Sequence, residues 1–247
     1  MIWSPLAPVT AAVGACLGSF LTTAALRSVR GESPWGGRSH CDACGVGLSY
    51  FQTAPLVSFV RLRGSCAACG GSIDPVHLMG EALGAVVVGA SFLVLPMLQA
   101  SLVAALGLAL LAASIVDAKT CRLPDPTTLA VGACAAGLAL ASGISPAAIG
   151  LCAATMTLLV LEGCRRGFAR ARGRAGLGFG DVKLAAALAL WLGTGAPWMI
   201  VAASIGGLGF YALARPTEDR IPFGPFIAAA AWIIGFGQEA HWWPSPI

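Results

Sequence analysis

Residues 81–117 read EALGAVVVGASFLVLPMLQASLVAALGLALLAASIVD, an acid at each end and no charge between them. A helix needs about 20 apolar residues to cross a bilayer, so 82–116 holds two crossings. Pro96 and Gln99 mark the turn between them. The same test finds charge-free stretches at 1–26, 126–161, 184–214 and 221–238. Two of these also split, at Ser142-Gly143-Ile144-Ser145-Pro146 and at Gly193-Thr194-Gly195-Ala196-Pro197. The reading is an all-α polytopic membrane protein of about eight transmembrane helices. Composition agrees: 57% of residues are hydrophobic and 11% charged, which excludes a water-soluble monomer.

All 15 Lys and Arg residues fall in the segments 27–63, 119–122, 165–183 and 215–220. An eight-helix path puts these four on one face, and the positive-inside rule makes that face cytoplasmic. Arg27 and Arg30 follow the first helix rather than precede it, so it reads as a retained span and not a signal peptide. The net charge of +4 is then a consequence of topology and points to no nucleic-acid partner. The arginines from Arg165 to Arg174 read as a cytoplasmic loop that sets orientation and faces anionic membrane lipid.

Three regions follow: a first transmembrane helix at 1–26, a cytoplasmic domain at 27–80, and a bundle of about seven helices at 81–247. The cytoplasmic segment carries Cys41-Asp42-Ala43-Cys44-Gly45 and Cys66-Ala67-Ala68-Cys69-Gly70. Each Cys-x-x-Cys-Gly makes a tight knuckle with two thiolates, and four thiolates close a tetrahedral zinc site. Two disulfides are the alternative, disfavoured in a reducing cytoplasm. A small zinc-ribbon-like domain with structural zinc on Cys41, Cys44, Cys66 and Cys69 is expected.

Acids at a membrane boundary are costly and mark function. Asp125, between Pro124 and Pro126, reads first as a helix cap. Asp117 ends a helix, the unfavourable end of the dipole for an acid, so a partner must account for it; pairing with Lys119 or Arg122 is the structural alternative. Asp181 follows Gly178-Phe179-Gly180, where glycines let an extended peptide backbone come close. Helix packing can bring Asp117 and Asp181 together, and two close carboxylates share a proton. One then activates water while the other polarises a peptide carbonyl, which is aspartic-protease chemistry.

The ordered set Gly18-Ser19-Phe20-Leu21, the two cysteine knuckles around Pro55-Leu56-Val57-Ser58-Phe59 and Leu62-Arg63-Gly64, Asp117 with Leu123-Pro124-Asp125, Gly178-Phe179-Gly180-Asp181-Val182-Lys183-Leu184, and Pro222-Phe223-Gly224-Pro225 resembles the bacterial prepilin peptidases of type IV pilus and type II secretion systems. The resemblance implies catalytic roles for Asp117 and Asp181, with Gly178, Gly180 and Lys183 beside the substrate. It implies prepilin or pseudopilin partners, cleavage after a glycine at the cytoplasmic boundary, and residence in the bacterial inner membrane. Many members also methylate the new N-terminus with S-adenosylmethionine, and Glu81 is the acid expected to serve that activity. Two other classes compete: a proton- or cation-coupled small-solute transporter using Asp117 and Asp181, and a noncatalytic secretion-system adaptor.

Overall fold

The computed structural model describes residues 6–174, 176–214 and 221–242; the basic segment at 215–220 lies outside them. Among the described residues the chain is helical, apart from two isolated bridges in the cysteine region. The helices are α1 (Ala7–Val29), the short α2 (Val57–Arg61), α3 (Pro75–Val94), α4 (Met97–Thr120), α5 (Asp125–Ala141), α6 (Ile144–Arg172), α7 (Phe179–Leu192), α8 (Ala196–Ala214) and α9 (Gly224–Glu239). The breaks fall at the expected punctuation. Pro96 sits in extended backbone before α4, and Gly143, at φ 118°, separates α5 from α6 in a conformation that a side chain would oppose.

The count of crossings is coarser than eight. Five stretches are long and apolar enough to span a membrane: α1, α3, α4, α6, and α7 with α8 taken together across their 3₁₀ turn. Helices α5 and α9, with 17 and 16 residues, are shorter. Helix α6 also runs further than expected. Its arginines through Arg172 lie on the helix rather than in a loop, because arginine favours helix and Glu162 takes hydrogen bonds from Arg165 at 2.6 Å and Arg166 at 2.6 Å, three and four residues on.

The chain forms two compact units, Met1–Leu93 and Val94–Ile247. In the first, α1 and α3 meet backbone to backbone through glycines one turn apart on each helix. A Cβ on Gly18 would stand 2.2 Å from the Gly80 carbonyl oxygen, and one on Gly84 would stand 2.4 Å from that of Gly14. Small residues at four-residue spacing permit this approach where burial from water drives little association. Gly18→Leu is expected to cost about 1–3 kcal/mol by overpacking, read as a lower Tm in detergent; an unchanged Tm would show that the two backbones do not need to touch.

In the second unit the 14-residue α7 is central. It packs on α5, α6, α8 and α9, while α4 packs on α5 and α9. Val182, Leu184, Leu188 and Ala189 of α7 are fully buried. By contrast α6 buries only Gly150 and Thr157, so its apolar surface faces outward, as a lipid-facing helix requires.

Candidate active site

Asp117 lies in the last turn of α4 and is 3% exposed. Its own helix offers a carboxylate nothing favourable at that end. The partner comes from elsewhere: the Gly224 N–H, opening α9, donates to Asp117 Oδ2 at 2.8 Å. The positive end of α9 thus meets the acid at the negative end of α4. Sequence reasoning noted Pro222-Phe223-Gly224-Pro225 without giving Gly224 a role. Its signal was there, because Pro225 has no N–H and leaves Gly224 as a donor at a helix start.

Asp181 sits in the first turn of α7, half-buried, and its carboxylate accepts a hydrogen bond from the Gly178 backbone. Asp117 and Asp181 are close enough to interact electrostatically. Leu123 lies between the elements that carry them: a Cβ on Gly180 would stand 3.1 Å from Leu123 Cβ, and one on Gly224 would stand 3.1 Å from Leu123 Cδ2 and 2.8 Å from Asp117 Oδ2. The glycines before Asp181 therefore have local tenants in this structure. A Cβ on Gly178 would meet Asp181's own Oδ2 at 2.8 Å, and the space beside Gly180 holds Leu123. Gly224→Ala should push against both Asp117 and Leu123, lowering any reaction that uses Asp117 at least about tenfold through its displacement; activity equal to wild type would show that the Gly224 contact is slack.

Lys183 and Asp125 answer each other. Asp125 is the first residue of α5 but makes no side-chain cap; its carboxylate forms an ion pair with Lys183 of α7. The expected cap is thus replaced by a tie between two helix starts. Phe179, between Gly178 and Gly180, has two cations near its ring, with Arg165 at 5.4 Å and Lys183 at 5.3 Å from the ring centre. Glu162, Arg165, Phe179, Lys183 and Asp125 thus link the ends of α6, α7 and α5 around the segment that precedes Asp181. Behind Asp181 is an apolar cavity of about 150 Å³, lined among others by Leu177, Met199, Ile200, Phe223 and Ile227.

The first unit holds two further features. Cys41, Cys44, Cys66 and Cys69 place their sulfurs within 4.8 Å of one another, and all are free thiols. Cys41 and Cys69 Sγ are 3.9 Å apart. A tetrahedral thiolate site with metal–sulfur bonds of about 2.3 Å requires sulfurs about 3.8 Å apart, so the set fits a metal ion. The two knuckles are built alike. Gly45 N–H bonds to Cys41 O and Gly70 N–H to Cys66 O, both glycines have positive φ, and the bridges His40–Gly47 and Ser65–Ser72 close the turns. Backbone N–H groups of Cys69 and Ala68 draw the Cys66 thiol down to about 7. For Cys69 the Gly71 N–H acts in the same sense but the sulfurs of Cys44 and Cys66 outweigh it, and the thiol is pushed up to about 11.

Glu81, on α3 and 7% exposed, accepts from Ser19 Oγ at 2.8 Å and from the Leu56 N–H at 2.7 Å. Leu56 has φ 62°, a conformation costly for a branched side chain. Glu81 thereby ties α1, the start of α2 and α3 together. A cavity of about 150 Å³ opens beside it, lined among others by Ser19, Arg27, His40, Cys66, His77 and Glu81. The Arg27 guanidinium is buried and donates to the carbonyls of Gly36 and Arg38, with no carboxylate partner among the described residues. Neither Arg27 nor His77 was singled out from the sequence.

Comparison with known proteins adds three findings. Residues 12–95 match the Bacterial Peptidase A24 N-terminal domain, and residues 104–213 match the Type IV leader peptidase family. The chain is 37% identical to a prepilin leader peptidase/N-methyltransferase of Burkholderia pseudomallei, over 83% of this chain and 69% of that protein. It is 33% identical to the protein of that name in Neisseria gonorrhoeae, over 83% and 72%, and 32% identical to that of Pseudomonas putida, over 82% and 73%. No solved structure matches the chain.

Proposed function

The chain belongs to the type IV leader peptidase family, and from that premise we propose that it is a membrane-embedded aspartic endopeptidase. It removes the basic leader from type IV prepilins or type II secretion pseudopilins, cutting after a glycine at the cytoplasmic face of the bacterial inner membrane. One observation carries the catalytic assignment: Asp117 and Asp181, at the end of α4 and the start of α7, are near enough to feel each other's charge, with Leu123 packed beside Gly180 and Gly224. In the proposed reaction one carboxylate takes a proton from water as its oxygen attacks the scissile carbonyl carbon. The other, protonated, donates to the carbonyl oxygen. The C–N bond then breaks and the leaving nitrogen takes up a proton, releasing the leader's carboxylate and a new amino terminus. Gly178, Gly180 and Lys183 adjoin Asp181 and are assigned to the substrate, and the Lys183–Asp125 and Phe179 contacts support that segment.

The remaining assignments follow the same premise. Eight helices, α1 and α3 to α9, cross the membrane, the cysteine domain and both aspartates face the cytoplasm, and Cys41, Cys44, Cys66 and Cys69 hold a structural zinc ion that stabilises the loop. Methylation of the new N-terminus is a second activity, favoured by the cavity that combines the buried Arg27 with the buried Glu81. S-adenosylmethionine, when bound there, supplies an electrophilic methyl group. Arg27 and Glu81 give that cavity one buried cation and one buried acid. Transport and adaptor roles are not favoured, since the named relatives are peptidases. Incubation of the purified protein with a prepilin, followed by mass spectrometry of the products, tests the proposal. Release of an intact leader supports it, and an uncut prepilin overturns it.

A further inference from the structure

The cavity beside Glu81 holds a group that neither the peptidase pair nor the cysteine site uses. His77 precedes Glu81 by four residues on α3, so the two share a helix face, and both line the cavity. The histidine is half-buried, and its ring makes no hydrogen bond among the described residues. The acids, the second histidine and Arg27 lining the same cavity are engaged, and Cys41 and Cys66 belong to the cysteine cluster. Glu81 has one oxygen on Ser19 and the other on the Leu56 N–H. Asp42 accepts from Arg30 at 2.8 Å, and Asp74 accepts from the Val76 N–H at 2.9 Å. His40 is exposed, with Nδ1 set 3.3 Å from the Arg38 carbonyl oxygen. Arg27 is a cation already directed at backbone carbonyls.

Methyl transfer to an N-terminus needs a base. The amino terminus freed by hydrolysis is mostly an ammonium below a pH of about 8, and an ammonium has no lone pair. The proton must leave nitrogen before the lone pair can form the N–C bond. As that bond forms, the C–S bond of a sulfonium methyl donor breaks, its electron pair stays on sulfur as a thioether, and the amine becomes a methylammonium. We propose that His77 is the general base of this step: its free ring nitrogen, in the cavity with Glu81 and Arg27, accepts the proton of the incoming N-terminal ammonium. Histidine is the side chain most often used to take a proton from a reacting group. Arg27 and Arg30 at the end of α1, His40, Cys41 and Asp42 of the first knuckle, Cys66 of the second, and Asp74 and Glu81 from the α3 end are the titratable and charged groups that line the cavity with it. This inference rests on the methyl-transfer reading of the cavity.

The test uses full-length protein, S-adenosylmethionine and a pilin peptide that already has a free N-terminus, with methylation followed by mass spectrometry from pH 6.5 to 9.5. His77→Gln is expected to be about 100-fold slower than wild type at pH 7, the scale of a general-base contribution. The gap should narrow to within about tenfold at pH 9.5, where solvent deprotonates the amine unaided. Leader cleavage by the same preparation should be unchanged, and so should binding of S-adenosylhomocysteine measured by calorimetry. His77→Glu, which returns a base to the same turn, should recover much of the rate at pH 7 and distinguishes lost chemistry from lost folding. Equal rates for His77→Gln and wild type at pH 7, a deficit that is the same at every pH, or loss of S-adenosylhomocysteine binding would each overturn the assignment. A wild type that cleaves prepilin but methylates at no pH overturns the methyl-transfer reading and the inference with it, leaving the peptidase reading intact.

Discussion

Asp117→Asn and Asp181→Asn will each slow leader cleavage by about 1,000-fold or more, the loss expected when an acid–base group is removed from a peptide hydrolysis. The substitution keeps the size of the side chain and leaves an oxygen able to accept the Gly224 N–H that now bonds to Asp117. What it removes is proton exchange. Both variants should therefore be produced, extracted and folded like wild type, with a prepilin that stays uncut in detergent or in membranes. Asp125→Asn is the control. It breaks the tie to Lys183, but the Asp125 side chain is 78% exposed, and an exposed ion pair contributes at most about 1 kcal/mol. A fall of about fivefold or less is expected from that figure. Cleavage by all three variants at wild-type rates would end the aspartic mechanism and return the aspartates to a transport or structural role. Loss of activity in Asp125→Asn as deep as in the other two would move the centre of the reaction toward α5 and Lys183.

The second large effect is expected at the cysteines. In Cys66→Ser, or after treatment with a strong chelator, the segment 27–80 should lose about one metal ion per chain and become sensitive to protease, because a loop with so little apolar core depends on the metal for its folding free energy. Cys66 is the most buried of the four cysteines, and its sulfur is held by the N–H of Ala68 at 3.4 Å, so the substitution is expected to disturb both metal binding and the knuckle. Metal content by mass spectrometry and limited proteolysis read the two consequences separately. Stoichiometric metal in the variant, with an intact loop, would show that three cysteines suffice; a metal-free wild type with a protease-resistant loop would show that packing alone holds the domain.

The two sites differ in how far they could be read from residue order. The cysteine site was legible because its determinants are local: each pair and its glycine lie within five residues, and the knuckle closes through Gly45 and Gly70 N–H bonds to the first cysteine of its own pair. The same is true of the helices. Charge-free runs and the punctuation at Pro96, Gly143 and Gly193 are properties of neighbouring residues, and the breaks appear there. Local order also identified Asp117, Asp181 and Glu81 as costly acids.

Their partners were beyond its reach. Gly224 meets Asp117 across 107 residues, Lys183 meets Asp125 across 58, and Ser19 meets Glu81 across 62. Asp125 reads as a cap from its neighbours alone and becomes an ion-pair member only because α7 begins beside α5. Gly180 reads as clearance for a substrate, and Leu123 comes beside it only once α5 and α7 are docked. His77 carries no signal beyond being a histidine on an apolar helix, and it gains meaning from the cavity that α1 and the cysteine loop build around it. Charge and apolarity along the chain determined what each segment is and which acids needed an explanation. Which helix end meets which was decided by packing in three dimensions, because the energy of a hydrogen bond or an ion pair depends on a few ångströms between groups whose separation along the chain says nothing of that distance.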